Sequence, residues 1–114
     1  MTVAIKRVYE DATADDGFRV LVDRLWPRGV SRDNAELDDW LKEIGPSTQL
    51  RKWFGHDPER FDGFVTRYRA ELDNNPELAT LREHIAAHPK VTLLYGAKDA
   101  EHNQAVVLRD YLLG

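Results

Sequence analysis

Two short runs in this chain, Phe18–Asp23 and Val91–Tyr95, are apolar at both odd and even positions until they close. A strand with one face on a core alternates apolar and polar residues. A run apolar on both parities fits a central strand covered on both sides. Both runs also end alike. Val20-Leu21-Val22 gives way to Asp23-Arg24-Leu25 and then to Trp26-Pro27-Arg28-Gly29. Leu93-Leu94-Tyr95 gives way to Gly96 and a polar stretch, Ala97-Lys98-Asp99-Ala100-Glu101-His102-Asn103, which opens a helix. Ligands of α/β proteins bind in the crevice beyond the carboxyl ends of the strands. The two runs are therefore expected side by side and parallel, with one composite site at their ends.

Helix signals fill the space between them. Leu37, Trp40, Leu41 and Ile44 have the spacing of one helix face, and Gly45-Pro46 would end that helix. Ser47 caps a short helix carrying Leu50, Trp53 and Phe54, and Gly55 permits a left-handed end. Asp57-Pro58 and Asn75-Pro76 are start signals for two more helices. The first has the stripe Phe61, Phe64, Val65, Tyr68 and Leu72; the second has Leu78, Leu81 and Ile85. A last helix runs from about Glu101 to Leu113, with Val107, Leu108, Tyr111 and Leu112 inward. Residues 2–9 read as a first strand, and Glu10–Gly17 as a surface loop. That loop is short for a parallel crossover, so the orientation of the first strand against the second stays open. The expected architecture is a single small α/β domain over residues 1–114, a short mainly parallel sheet flanked by helices.

Composition bounds the function. At 114 residues one core can form without staples. The absence of cysteine removes disulfides, thiolate catalysis and Cys-ligated metal sites. No apolar run approaches the ~20 residues of a membrane span and no signal-peptide core is present, so a cytoplasmic protein with no membrane partner is expected. The net charge of −4 argues against general nucleic-acid binding. No Walker A loop, GxGxxG, G-x-S-x-G or HExxH occurs. No metal site is assigned and no cofactor is named.

The chemistry-bearing residues cluster at the two strand ends. A charge at the depth of Asp23 is costly unless paired, so Asp23 is expected to be largely buried against Arg24 or Arg28. Arg24 and Arg28 would clamp an anion, with Trp26 as a wall. In the second segment Asp99 is the expected N-cap, and the helix start favours an anion beside Lys98. His102 is the acid/base candidate near neutral pH. Asn103 would orient a ligand or fix the histidine tautomer. His56 reads as a loop residue, and His84 and His88 as surface residues. For every one of these the competing reading is structural: ion pairs, caps and solvated charges.

Asp23-Arg24-Leu25-Trp26-Pro27-Arg28-Gly29, Leu50 through Asp57, and Leu93 to Asn103 with Ala105 and Leu108 resemble the short, YeaO-like branch of the DUF488 family. The resemblance spans about Ile5 to Leu112. It implies a small intracellular bacterial or archaeal protein and leaves the activity open. Longer relatives carry a Cys-His-Arg run after the last strand, where this chain has Glu101-His102-Asn103. By that correspondence only the histidine is kept, so thiol chemistry does not transfer. The resemblance also implies that Arg24, Arg28, Lys98 and His102 share one pocket.

The leading expectation is a small enzyme acting on a phosphate-bearing or other anionic small molecule, nucleotides included. Arg24, Arg28 and Lys98 would hold the anion, His102 would move the proton, and Asp23 or Asp99 would be its electrostatic partner. The alternatives are a non-catalytic module for a nucleotide or a nucleic-acid end, and an oligomeric protein whose aromatics form an interface. The sequence leaves the oligomeric state open.

Overall fold

In the computed structural model, which describes residues 2–114, four parallel strands form one sheet in the order β1-β4-β2-β3. The strands are β1 (Thr2–Arg7), β2 (Phe18–Leu21), β3 (Asp39–Trp40) and β4 (Lys90–Tyr95). The helices are α1 (Arg32–Ala35), α2 (Thr48–Phe54), α3 (Phe61–Asp73), α4 (Glu77–Ala87) and α5 (Gln104–Leu113). β2 and β4 lie side by side and parallel, with Val20 opposite Leu93 and Leu21 opposite Leu94. Both occupy the sheet centre, as their apolar parity predicts.

That parity divides the core. Val20, Val22, Val91, Leu93 and Tyr95 point to one face, where apolar residues of α2, α3, α4 and α5 pack on them. Leu21 and Leu94 point to the other, under Ala35, Trp26, Leu37 and Trp40. The four longer helices thus share one face. The segment between β2 and β3 covers the other with a single short helix.

The first strand pairs with β4 rather than β2, and runs parallel to it. The chain therefore crosses β4 between residues 8 and 17 with no α-helix, only a 3₁₀ turn at Ala14–Asp16. A buried carboxylate pins this crossing. Asp16 accepts from Lys6 of β1 at 3.1 Å and from the Arg19 guanidinium of β2. Its carbonyl accepts from Thr92 of β4 at 2.6 Å. Burial alone would raise the Asp16 carboxyl. The hydrogen bonds from Thr13, Lys6 and Arg19 outweigh it and hold it at about 2.

The helix predicted across Leu37–Ile44 does not form. Its place is taken by edge strand β3 and a 3₁₀ turn, Lys42–Ile44. Leu37 and Trp40 pack on one core, Leu41 and Ile44 on the other. Helical spacing here serves two faces of a sheet edge. The remaining start signals fall where helices begin, but Asp57 caps a 3₁₀ turn, Pro58–Arg60, that leads into α3, and the N-cap of α4 is Pro76 rather than Asn75. Ser47 accepts from Leu50 N–H, Asp57 from Glu59 N–H and Asn75 from Glu77 N–H. Gly55 closes α2 at φ 55°. α5 begins later than expected: its N-cap is Asn103, whose side chain accepts from Val106 N–H at 3.1 Å. Asp99 instead accepts from the Glu101 and His102 N–H groups in a preceding turn.

Candidate functional site

A cavity of about 390 Å³ opens at the carboxyl ends of β2 and β4. Asp23, Arg24, Trp26 and Arg28 reach it from the segment after β2. Gly96, Ala97, Asn103 and Gln104 reach it from the segment after β4. The composite crevice expected from the two strand ends is therefore present. A third contributor was not assigned to the site from sequence: α2 and its exit supply Arg51, Lys52, Phe54 and His56.

Asp23 sits half-buried in the wall. Its Oδ2 accepts from Gly96 N–H at 2.8 Å and its Oδ1 from the Gln104 side-chain amide. Its carbonyl accepts from Trp40 Nε1 at 2.8 Å. The expected contact with Arg24 or Arg28 is absent: among the described residues Asp23 forms no ion pair. One main-chain and one amide donor, one on each oxygen, stand where a cation was expected. Burial is the largest influence on the Asp23 carboxyl and lifts it to about 6, against the pull of Gly96, Gln104 and the Arg51 charge.

The cations differ in what occupies them. Arg24 lines the cavity, but its guanidinium donates to the Pro46 carbonyl at 2.9 Å and the Gly45 carbonyl at 3.0 Å. A third bond joins it to Glu43 at 3.1 Å. It staples the β3–α2 connection to the strand end. Arg28 is exposed, and its guanidinium has no bonding partner among the described residues; its carbonyl accepts from the Tyr9 hydroxyl at 2.8 Å. Arg51 is the distinctive one. Its Nε is shielded from solvent and has no hydrogen-bond partner among the described residues. That state is unusual in a folded protein.

Aromatic groups form the walls. Trp26 donates from Nε1 to the Val30 carbonyl at 2.7 Å, meets Trp40 edge-on at 5.3 Å, and carries Arg32 over its ring at 4.5 Å. Tyr9, at the rim, is 45% exposed and lies under Arg7. Arg7 also donates to the Ala97 carbonyl at 2.9 Å, tying β1 to the post-β4 segment. His56 reaches the mouth because two successive residues, Gly55 and His56, take positive φ.

Lys98, Asp99 and His102 do not line this cavity. Lys98 is exposed. His102 Nδ1 lies 2.8 Å from Asp99 Oδ2, and its ring meets Phe61 edge-on at 5.0 Å. The Asp99 carboxyl is lowered, first by the Glu101 N–H and then by His102. Asn103 does line the cavity, but it is buried and its amide is engaged by the backbone: Oδ1 by Val106 N–H, Nδ2 by the Asp99 carbonyl at 2.8 Å. His84 and His88 are not simple surface residues. His84 bonds Asp39 at 2.8 Å, and His88 stacks on Phe18 at 4.1 Å.

Arg51 could have been found in sequence only through its position three residues before Phe54, on a helix whose exit loop carries His56. No local pattern distinguishes it from a solvated helix arginine.

A family model described as "Inactive DUF488-N3 subclade" matches residues 2–114. The uncharacterized protein YeaO of Escherichia coli (strain K12) is 45% identical over 112 residues, 98% of this chain and 97% of its own length. Uncharacterized proteins of Mycobacterium tuberculosis and Mycobacterium bovis are 43% identical over 112 residues, 98% of this chain and 94% of theirs. No solved structure matches. Among the described residues no helix is long and apolar enough to cross a membrane.

Proposed function

We propose that this chain, which belongs to the DUF488 family through the branch described as its inactive DUF488-N3 subclade, binds a phosphate-bearing or other anionic small molecule without transforming it. The observation that carries the reading is Arg51. Arg51 lines the cavity with Arg28 and Lys52, and its guanidinium enters no ion pair or side-chain hydrogen bond among the described residues, so its outer nitrogens suit an anion. The family description supports the non-catalytic half. So does the placement of His102, which faces Asp99 and Phe61 rather than the cavity. The absence of cysteine supports a reducing, cytoplasmic setting.

Titration calorimetry with inorganic phosphate and nucleoside monophosphates tests this. Binding should weaken at higher ionic strength and fall at least tenfold in Arg51→Gln. Absence of binding by every anion at millimolar concentration overturns it.

A second reading keeps the chain an enzyme, with His102 as acid/base on the anion. The His102–Asp99 bond favours it, because a carboxylate on Nδ1 fixes the imidazole tautomer and leaves Nε2 to act. Turnover of a phosphate ester that His102→Ala abolishes, with ligand affinity kept, selects this reading.

A further inference from the structure

We propose that the anion held here is the phosphate of a guanine nucleotide, and that Asp23 reads the base. This rests on the anion-binding reading above and names its ligand.

A pocket built for an anion alone has no use for a carboxylate in its wall, yet Asp23 is there. It is also fixed in place, by Gly96 N–H at 2.8 Å on one oxygen and the Gln104 amide on the other. A carboxylate oxygen has two acceptor directions, so each Asp23 oxygen, holding one bond, has capacity for a second, and the residue lines the cavity. Arg51 shares the cavity, is close enough to act on the Asp23 charge, and does not close an ion pair with it. One acceptor group and one donor group therefore stand in the same space, both incompletely bonded. A ligand that satisfies both carries N–H donors at one end and an anion at the other.

Size and walls narrow the class. An α-amino acid would meet both charges but leave much of about 390 Å³ and its aromatic lining unused. A nucleoside monophosphate fills such a volume, and its flat base suits a lining that includes Tyr9 and Trp26, the latter held rigid by its bond to Val30 and its contact with Trp40. Among bases, guanine presents N1–H and the 2-amino group side by side, two parallel donors for one carboxylate. Adenine places an acceptor, N1, where the first of these donors would stand. A site that hydrogen-bonds its ligand rejects an analogue lacking the donor, because the site's own polar group is then left unpaired.

Calorimetric titration of GMP, IMP, AMP, guanosine and inorganic phosphate, against wild type, Asp23→Asn and Arg51→Gln, tests the inference. GMP should bind at least about tenfold tighter than AMP, with IMP between them because it lacks the 2-amino group. Asp23→Asn should erase the preference for GMP over AMP while retaining phosphate binding. Arg51→Gln should weaken GMP far more than guanosine. If Asp23→Asn fails to fold, the wild-type order GMP, IMP, AMP decides. Equal binding of GMP and AMP, or an undiminished preference in Asp23→Asn, overturns the guanine reading and leaves the anion pocket standing. An amino acid that binds where nucleotides do not also overturns it. Failure of all phosphate compounds to bind overturns both.

Discussion

Gly96 donates its main-chain N–H to Asp23 Oδ2 at 2.8 Å, and a Cβ added to Gly96 would stand 2.9 Å from that same oxygen. The bond joins the exits of the two central strands and sets the cavity wall. Gly96→Ala forces the carboxylate or the strand end to shift. A loss of about 1–3 kcal/mol is expected, read from urea denaturation. A midpoint unchanged from wild type would mean that Asp23 moves freely.

Asp23 itself should make stability fall with rising pH. Its carboxyl, ordinarily at 3.8, is lifted to about 6 in the fold. A raised carboxyl favours the folded state in its protonated form. That contribution is complete below about pH 4 and is lost as pH rises through about 6. Asp23→Asn is neutral throughout, and the Gln104 amide can turn to meet it. The variant should be more stable than wild type by about 1–2 kcal/mol at pH 7.5, the full shift being discounted for partial exposure. The gap should close by pH 4. A gap that stays constant over this range rules out a raised Asp23.

Asp16 has the opposite sign. Its carboxyl is held at about 2, below its ordinary 3.8. The stability it supplies is present above about pH 4 and is lost as pH falls toward 2. Asp16→Asn leaves Lys6 and Arg19 facing a neutral group where Asp16 and Arg19 are 5% and 4% exposed. Breaking a buried pair in this way costs about 3–5 kcal/mol. The variant should also lose the acid-side slope between pH 4 and 2. A loss under 1 kcal/mol would show that the crossing between β1 and β2 does not depend on this carboxylate.

Tyr68 links the helical layer to the site. Its hydroxyl, fully buried on α3, donates to the Ile44 carbonyl at 2.6 Å, next to the Gly45 and Pro46 carbonyls that receive Arg24. Tyr68→Phe orphans the Ile44 carbonyl at a cost of about 1–3 kcal/mol. Hydrogen exchange at residues around 44–47 should quicken in the variant. Unchanged exchange there would disconnect Tyr68 from the cavity wall.

The elements legible in sequence were those with local causes. Ser47, Asp57 and Asn75 each bond a main-chain N–H within three residues, so their helices could be placed without knowing the fold. The stretch 37–44 misled because periodicity assumes one face. Leu37 and Trp40 answer to one side of the sheet, Leu41 and Ile44 to the other. The start of α5 was misplaced because Asp99 and Asn103 are both good caps. The asparagine's two bonds, to Val106 and to the Asp99 carbonyl, decide between them.

Phe18–Asp23 and Val91–Tyr95 were legible as central strands whose ends frame a crevice, because burial on both faces leaves apolar residues at both parities of a strand, the polar exceptions Arg19 and Thr92 being bonded to Asp16. Which charges share that crevice follows from long-range packing. Arg24 is engaged by the carbonyls of Gly45 and Pro46, His102 by Asp99, and Arg51 by nothing among the described residues. A charged side chain's role depends on which partners packing brings within hydrogen-bond reach. Those partners come from distant segments, so no local pattern records them.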